Sequence, residues 1–200
     1  MAETLEKLRQ NLRELQEQLE DEYRRRREAL ADTWRNGRMV FTAETRRLHR
    51  AQREGLLKYI SHARFWPVVT APVIYSMIIP FALMHFWVWV FQTICFPVYG
   101  IRKVPMGDFI AIDRHHLHYL NAIEKFNCVY CGYCNGVIGW AREVASRTEA
   151  YWCPIKHASR VEGLHRHYSE FKDYGDAEGY LEHRETVRRG KAGLSQKRDE

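Results

Sequence analysis

Several signatures from which a function is usually read are missing from this sequence. It has no nucleophile-elbow serine, phosphate-binding glycine loop, HExxH pair or dinucleotide fingerprint. The common motif-defined hydrolase, nucleotide-binding and zinc-protease readings therefore fall away. No nucleic-acid-binding module and no basic surface interleaved with aromatics is visible, so the net charge of +6 is not taken as a sign of nucleic-acid binding. The start, Met1-Ala-Glu-Thr-Leu-Glu-Lys7, is charged and lacks the apolar core of a signal peptide. Charge itself is missing over one long run. From Phe65 to Ile101 there are 37 residues without Asp, Glu, Lys or Arg, and both flanks are dense in them.

That run is the strongest feature present, and it predicts an integral membrane protein. As one helix, 37 residues would reach about 55 Å at about 1.5 Å each, against a hydrocarbon core of about 30 Å. Two full spans and a turn need more than about 40 residues. The run therefore reads as a single span with interfacial shoulders, or as a shallow hairpin bent at Pro80. Phe65, Trp66 and Tyr99 suit aromatic anchors, whereas Trp87 and Trp89 fit no simple pair of belts. Six Lys/Arg lie within 20 residues of the N-terminal edge and three in the same length beyond the C-terminal edge. A single span then places the N-terminus in the cytoplasm. A hairpin would keep both flanks there, with the clustered thiols in a reducing compartment, and this placement is favoured slightly.

Residues 1–64 form a basic arm. Leu5, Leu8, Leu12, Leu15 and Leu19 alternate three- and four-residue steps, the seam of a short coiled coil. It serves either a homodimer, another protein partner, or packing within the chain. Asn36-Gly37 is expected to break the helix. A second helix from about Ala43 to Ser61, rich in arginine and next to the apolar run, suits a membrane surface. Anionic lipid headgroups are the expected contact, each nearby Lys or Arg being worth about 1 kcal/mol.

Residues 102–183 are expected to form a helical hairpin. Asp108 reads as an N-cap, and Phe109, Ile112, His116, Leu120 and Ile123 fall on one helical stripe. A loop over 127–136 and a second helix over about 137–149 complete it. Residues 184–200 have little to bury and read as a disordered tail.

Five cysteines, Cys95, Cys128, Cys131, Cys134 and Cys153, are an odd number, and three lie within seven residues. Metal or redox chemistry is favoured over disulfides. Cys128-Val-Tyr-Cys131-Gly-Tyr and Trp152-Cys153-Pro154 resemble the two knuckles of rubredoxin and zinc-ribbon proteins, over about nine residues. That resemblance implies a metal knuckle, and it departs at the fourth ligand: a ribbon has a cysteine two residues on, whereas here His157 comes four positions after Cys153. Cys128, Cys131, Cys153 and His157 would make a Cys3His zinc site. Cys128, Cys131, Cys134 and Cys153 instead have the spacing of an iron-sulfur ligand set. Asp113, His116 and Glu149 form an alternative second site, for iron or another divalent metal, if the two helices lie antiparallel. The run from Ala71-Pro-Val-Ile-Tyr75 to Cys153-Pro-Ile-Lys-His157 also resembles an uncharacterised family of bacterial membrane proteins, which implies a bacterial inner-membrane location and brings no activity with it.

The expectation is thus a mostly α protein: basic N-terminal helices, one apolar membrane segment, and a C-terminal helical hairpin holding a cysteine-rich metal knuckle. Its expected role is a metal-binding accessory or assembly protein, with zinc the first cofactor and iron or an iron-sulfur cluster the alternative. The rivals are a membrane-anchored redox protein and a membrane-bound metal-dependent enzyme.

Overall fold

The computed structural model describes residues 2–30, 33–35 and 38–189. The chain is mostly helical and divides into two compact units, one from residues 1–59 with 116–122, the other from 60–115 with 123–200.

The first unit opens with helix α1, Ala2–Leu30. Leu8, Leu12, Leu15 and Leu19 are all more than half exposed, so the leucine seam is left open. Strands β1 (Thr33–Arg35) and β2 (Arg38–Val40) pair antiparallel, Arg35 opposite Arg38. Asn36 and Gly37, the expected break, lie outside the described residues. The second basic helix is not continuous. Helix α2 spans Ala43–Ala51, capped by the Thr42 hydroxyl, which accepts from the Thr45 amide. Helix α3 resumes at Leu56–Ser61, after Gly55. Glycine costs about 1 kcal/mol in a helix interior, enough to divide a segment that buries nothing.

The second unit is built on the apolar run. Helix α4 (Phe65–Ser76) and helix α5 (Ile78–Tyr99) follow each other with only Met77 between them. Together they form one apolar helix of 35 residues, about 52 Å long, long and apolar enough to cross a membrane. The hairpin bent at Pro80 is not formed. Pro80 sits in the first turn of α5, where a missing amide is least costly, so it joins the two helices with a step and no reversal. The rod ends at Gly100, whose φ of 69° closes the helix in the left-handed conformation that favours glycine.

Beyond Gly100 the chain turns back. Residues 101–115 form an irregular return segment with short 3-10 turns at Met106–Asp108 and Arg114–His116. Helix α6 then runs unbroken from Ala122 to Trp152. Two expectations are corrected here. The stripe from Phe109 to Ile123 is not a helix and Asp108 caps none; the cysteine loop over 127–136 is the middle of α6. The hairpin of two C-terminal helices is therefore absent.

The glycines give the reason. Gly132, Gly136 and Gly139 look like turn residues, yet they strip side chains from one side of α6. A Cβ at Gly136 would stand 2.6 Å from Ile110 Cγ1 and 2.8 Å from the Phe109 carbonyl oxygen, and one at Gly132 would stand 2.9 Å from the Ala111 oxygen. The return segment presses its backbone into this groove, which side chains at Gly132 and Gly136 would close.

Helix α6 runs in the same direction as the rod. Tyr75 meets Asn127, His85 meets Tyr133, and Tyr99 stacks on Tyr151 at 5.2 Å. The core lies toward the C-terminal end of the rod, where Phe96, Ile101, Val104, Trp140 and Val144 are buried together. Helix α7, Ala177–Arg188, closes the unit: Asp176 caps it by accepting from the Gly179 amide, and His183 donates to the Tyr151 carbonyl at 2.9 Å. Residues 184–188 of the expected tail thus belong to α7. Residues 190–200 lie outside the described residues.

Candidate functional site

The expected metal ligands are not gathered. Cys128, Cys131 and Cys134 follow one another along α6 at three-residue intervals, half-buried, exposed and buried in turn. Cys153 lies just past the end of the same helix, 22 residues beyond Cys131, or about 33 Å along its axis. His157 is exposed; its amide donates to the Tyr168 hydroxyl at 2.7 Å and its ring stacks on Tyr168. Neither Cys128, Cys131, Cys153 and His157 nor the all-cysteine set can therefore surround one ion within a chain. Gly132, next to Cys131, serves the packing of the return segment. Among the described residues, no group of three or more His, Cys, Asp or Glu is placed to hold a metal. Asp113 precedes the 3-10 turn that His116 ends, and Glu149 is held by His165, whose Nε2 lies 3.0 Å from its Oε2.

A different cluster forms where the rod ends. Glu143 lies on the side of α6 that faces the return segment, its side chain only 9% exposed. Three groups converge on its Oε1: Arg147 Nε donates at 2.8 Å and Arg166 at 2.5 Å, and His167 Nε2 stands 3.4 Å away. Burial raises the carboxyl pKa, but the hydrogen bonds from His167 and Arg147 and the charges of Arg166 and Arg147 together outweigh it, leaving it at about 2. Glu143 is thus an anion at every physiological pH. Arg147 also donates to the Arg102 carbonyl at 3.0 Å, tying α6 to the foot of the rod.

These side chains border a cleft of about 690 Å³. Five Lys or Arg line it against three carboxylates. Arg102 and Lys103 come from the turn after the rod, Arg147 from α6, and Arg166 and Lys172 from the segment before α7. That last segment is fixed by a short parallel bridge, in which Lys172 donates to the Pro154 carbonyl and Lys156 to the Lys172 carbonyl, both at 2.8 Å. Lys156 Nζ reaches Asp173 at 2.7 Å, and that hydrogen bond and charge hold the carboxyl of Asp173 below its usual range.

Sequence reasoning passed over this cluster. Its signals were the Glu143-x3-Arg147 step, one helical turn, and the dense His165-Arg166-His167 triplet. It also passed over Gln92, the one carboxamide of the charge-free run. Gln92 is buried; its Oε1 accepts from the Val104 amide at 2.9 Å and its Nε2 donates to the Val104 carbonyl at 3.3 Å. Trp140 Nε1 donates to the same carbonyl at 3.1 Å, so one amide pins the return segment between α5 and α6.

No protein-family model matches this chain, no curated protein is detectably similar to it, and no solved structure matches its fold.

Proposed function

We propose that the chain is an integral membrane protein with a non-catalytic, accessory role, in which the rod anchors a polar module at the membrane surface. The observation that carries this reading is the sorting of side chains around the rod. Tyr75, His85 and Gln92 turn inward to Asn127, Tyr133 and Val104. The outward side is hydrocarbon and aromatic: Trp87 is 63% exposed and Val98 77%, and no residue of the most apolar 18-residue window is buried. The core helix of a soluble protein has the opposite polarity. In lipid, association of helices leans on polar contacts of this inward kind. Alkaline carbonate washing of membranes tests the reading: the chain stays with the lipid, and its release into the supernatant would overturn the anchor.

The positive-inside rule puts the arginine-rich side of the rod in the cytoplasm. In a crossing rod, Cys128–Cys134 lie beside the rod, near the level of Tyr75 and His85. A metal-dependent form of the accessory role would then use Cys128 and Cys131 alone as a pair one helical turn apart, with further ligands from another molecule. The open leucine seam of α1 suits a second copy of the chain. Crosslinking in detergent that is lost in a Leu12→Asp, Leu15→Asp variant would support that pairing; equal crosslinking in the variant would oppose it.

A further inference from the structure

We propose that the cleft at the foot of the rod binds a phosphate-bearing anion. The cleft holds more cationic than anionic side chains, and its charges are arranged, not scattered. Glu143 collects Arg147, Arg166 and His167 on a single oxygen, so one negative charge orients two guanidinium groups and an imidazole. Each guanidinium has five N–H donors and spends only some of them there. Lys103 and Lys172 line the same cleft and have no carboxylate partner among the described residues. Paired guanidinium groups with nearby ammonium groups match the charge and the several oxygens of a phosphate, which Arg binds in a bidentate fork.

The Nε2 of His167 stands 3.3 Å from Arg166 Nε as well as 3.4 Å from Glu143, so the ring packs against both members of this pair.

The place of the cleft points to the source of the anion. Arg102 and Lys103 directly follow the end of the apolar rod, and Tyr99, Tyr151 and Trp152 pack together at the same level, within 5.4 Å ring to ring. Aromatic clusters of this kind sit at headgroup depth in membrane proteins. A phospholipid headgroup and a soluble phosphate share the chemistry the cleft recognises. The lipid source rests on the membrane reading above; the soluble source does not.

The test uses the full chain purified in a neutral detergent. Binding of short-chain dihexanoyl phosphatidylglycerol, dihexanoyl phosphatidylcholine and inorganic phosphate is measured by calorimetry at low and high salt. Saturable binding of the phosphatidylglycerol, absent for the zwitterionic lipid and weakened by salt, supports the site with a lipid source. Saturable binding of inorganic phosphate that competes with it supports the site with a soluble source. A Lys103→Gln, Lys172→Gln variant, which leaves the Glu143 cluster intact, weakens either ligand by about ten-fold or more. Arg160→Gln, outside the cleft, leaves binding unchanged. Absence of saturable binding to either probe, or equal binding in the double variant, overturns the proposal. Neither result bears on carbonate resistance, so failure of the site and failure of the membrane anchor are separable.

Discussion

Glu143 gathers Arg147, Arg166 and His167 on one oxygen and is the residue on which the C-terminal module turns. Its folded pKa of about 2 lies below the ordinary 4.5, so folding favours its ionised form. The sign follows from linkage: its stabilising contribution is complete above about pH 4.5 and is lost as pH falls toward 2. Melting temperature measured against pH is expected to drop through that window in the parent protein and to be flatter in Glu143→Gln. At neutral pH the same substitution leaves Arg147 and Arg166 without their counter-charge. A loss of about 3 kcal/mol is expected, the scale for breaking a buried ion pair. An unchanged neutral-pH melting temperature would mean the arginines find other partners. The cysteines allow a second prediction at this scale. Cys153 and the α6 pair are about 33 Å apart, so Cys153→Ser and His157→Ala leave any metal content of anaerobically purified protein unchanged. If metal is present, Cys128→Ser and Cys131→Ser lower it. Loss of metal in Cys153→Ser would show that the helix does not persist between them.

Helix α6 is held in place by what it lacks. A Gly136→Ala variant gains up to about 1 kcal/mol of helix propensity but drives a methyl group into Ile110 and the Phe109 carbonyl. Overpacking of this kind costs about 1–3 kcal/mol, and two of the three atoms met are backbone, so packing wins and the variant is destabilised. Gly55→Ala, with nothing within 4 Å, is the matched control and is neutral or stabilising. Comparison of the two denaturation midpoints checks this. The same glycines explain how much was legible in the sequence. The apolar run, the basic arm and the helical class follow from composition and periodicity alone. The C-terminal module does not. Asn, Gly and Cys within ten residues have poor helix propensity, and an amphipathic stripe from Phe109 to Ile123 offers a better local helix than the one that forms. Tertiary contact overrides both: the backbone of Phe109 to Ala111 packs directly on Gly132 and Gly136, and Tyr75, His85 and Trp140 bond to partners about 36 to 52 positions away. The Glu143 cluster was equally hidden, since its members come from α6 and from the segment before α7, which only the fold brings together.

At the scale of the whole molecule, the rod and its companions set a constraint that can be tested. The rod is about 52 Å long and exceeds a hydrocarbon core by about 20 Å, so within a membrane it would cross with a wide shoulder, tilt, or lie along one leaflet. The return segment and α6 accompany it for most of its length, and Gly107, Asp108, Asp113 and Arg114 of that segment are exposed. Irregular backbone and charged side chains do not face lipid tails; at membrane depth they border water or protein. A crossing rod therefore places its own N-terminal end and the Glu143 cleft on opposite sides of the membrane and leaves residues 105–114 beside water. Three single cysteines probe this, each added to the full chain: Gly55→Cys before the rod, Gly107→Cys in the return segment and Ser159→Cys beyond α6. Gly55 and Gly107 have open space around the added atom, and Ser159 is exposed. Labelling by an impermeant maleimide is mapped by peptide mass, in intact and in opened cells. Position 159 is expected to label in intact cells, position 55 only after opening, and position 107 to react in at least one of the two. Positions 55 and 159 labelling from the same side would reject the crossing and leave the rod lying in one leaflet, with α6 between it and the aqueous phase.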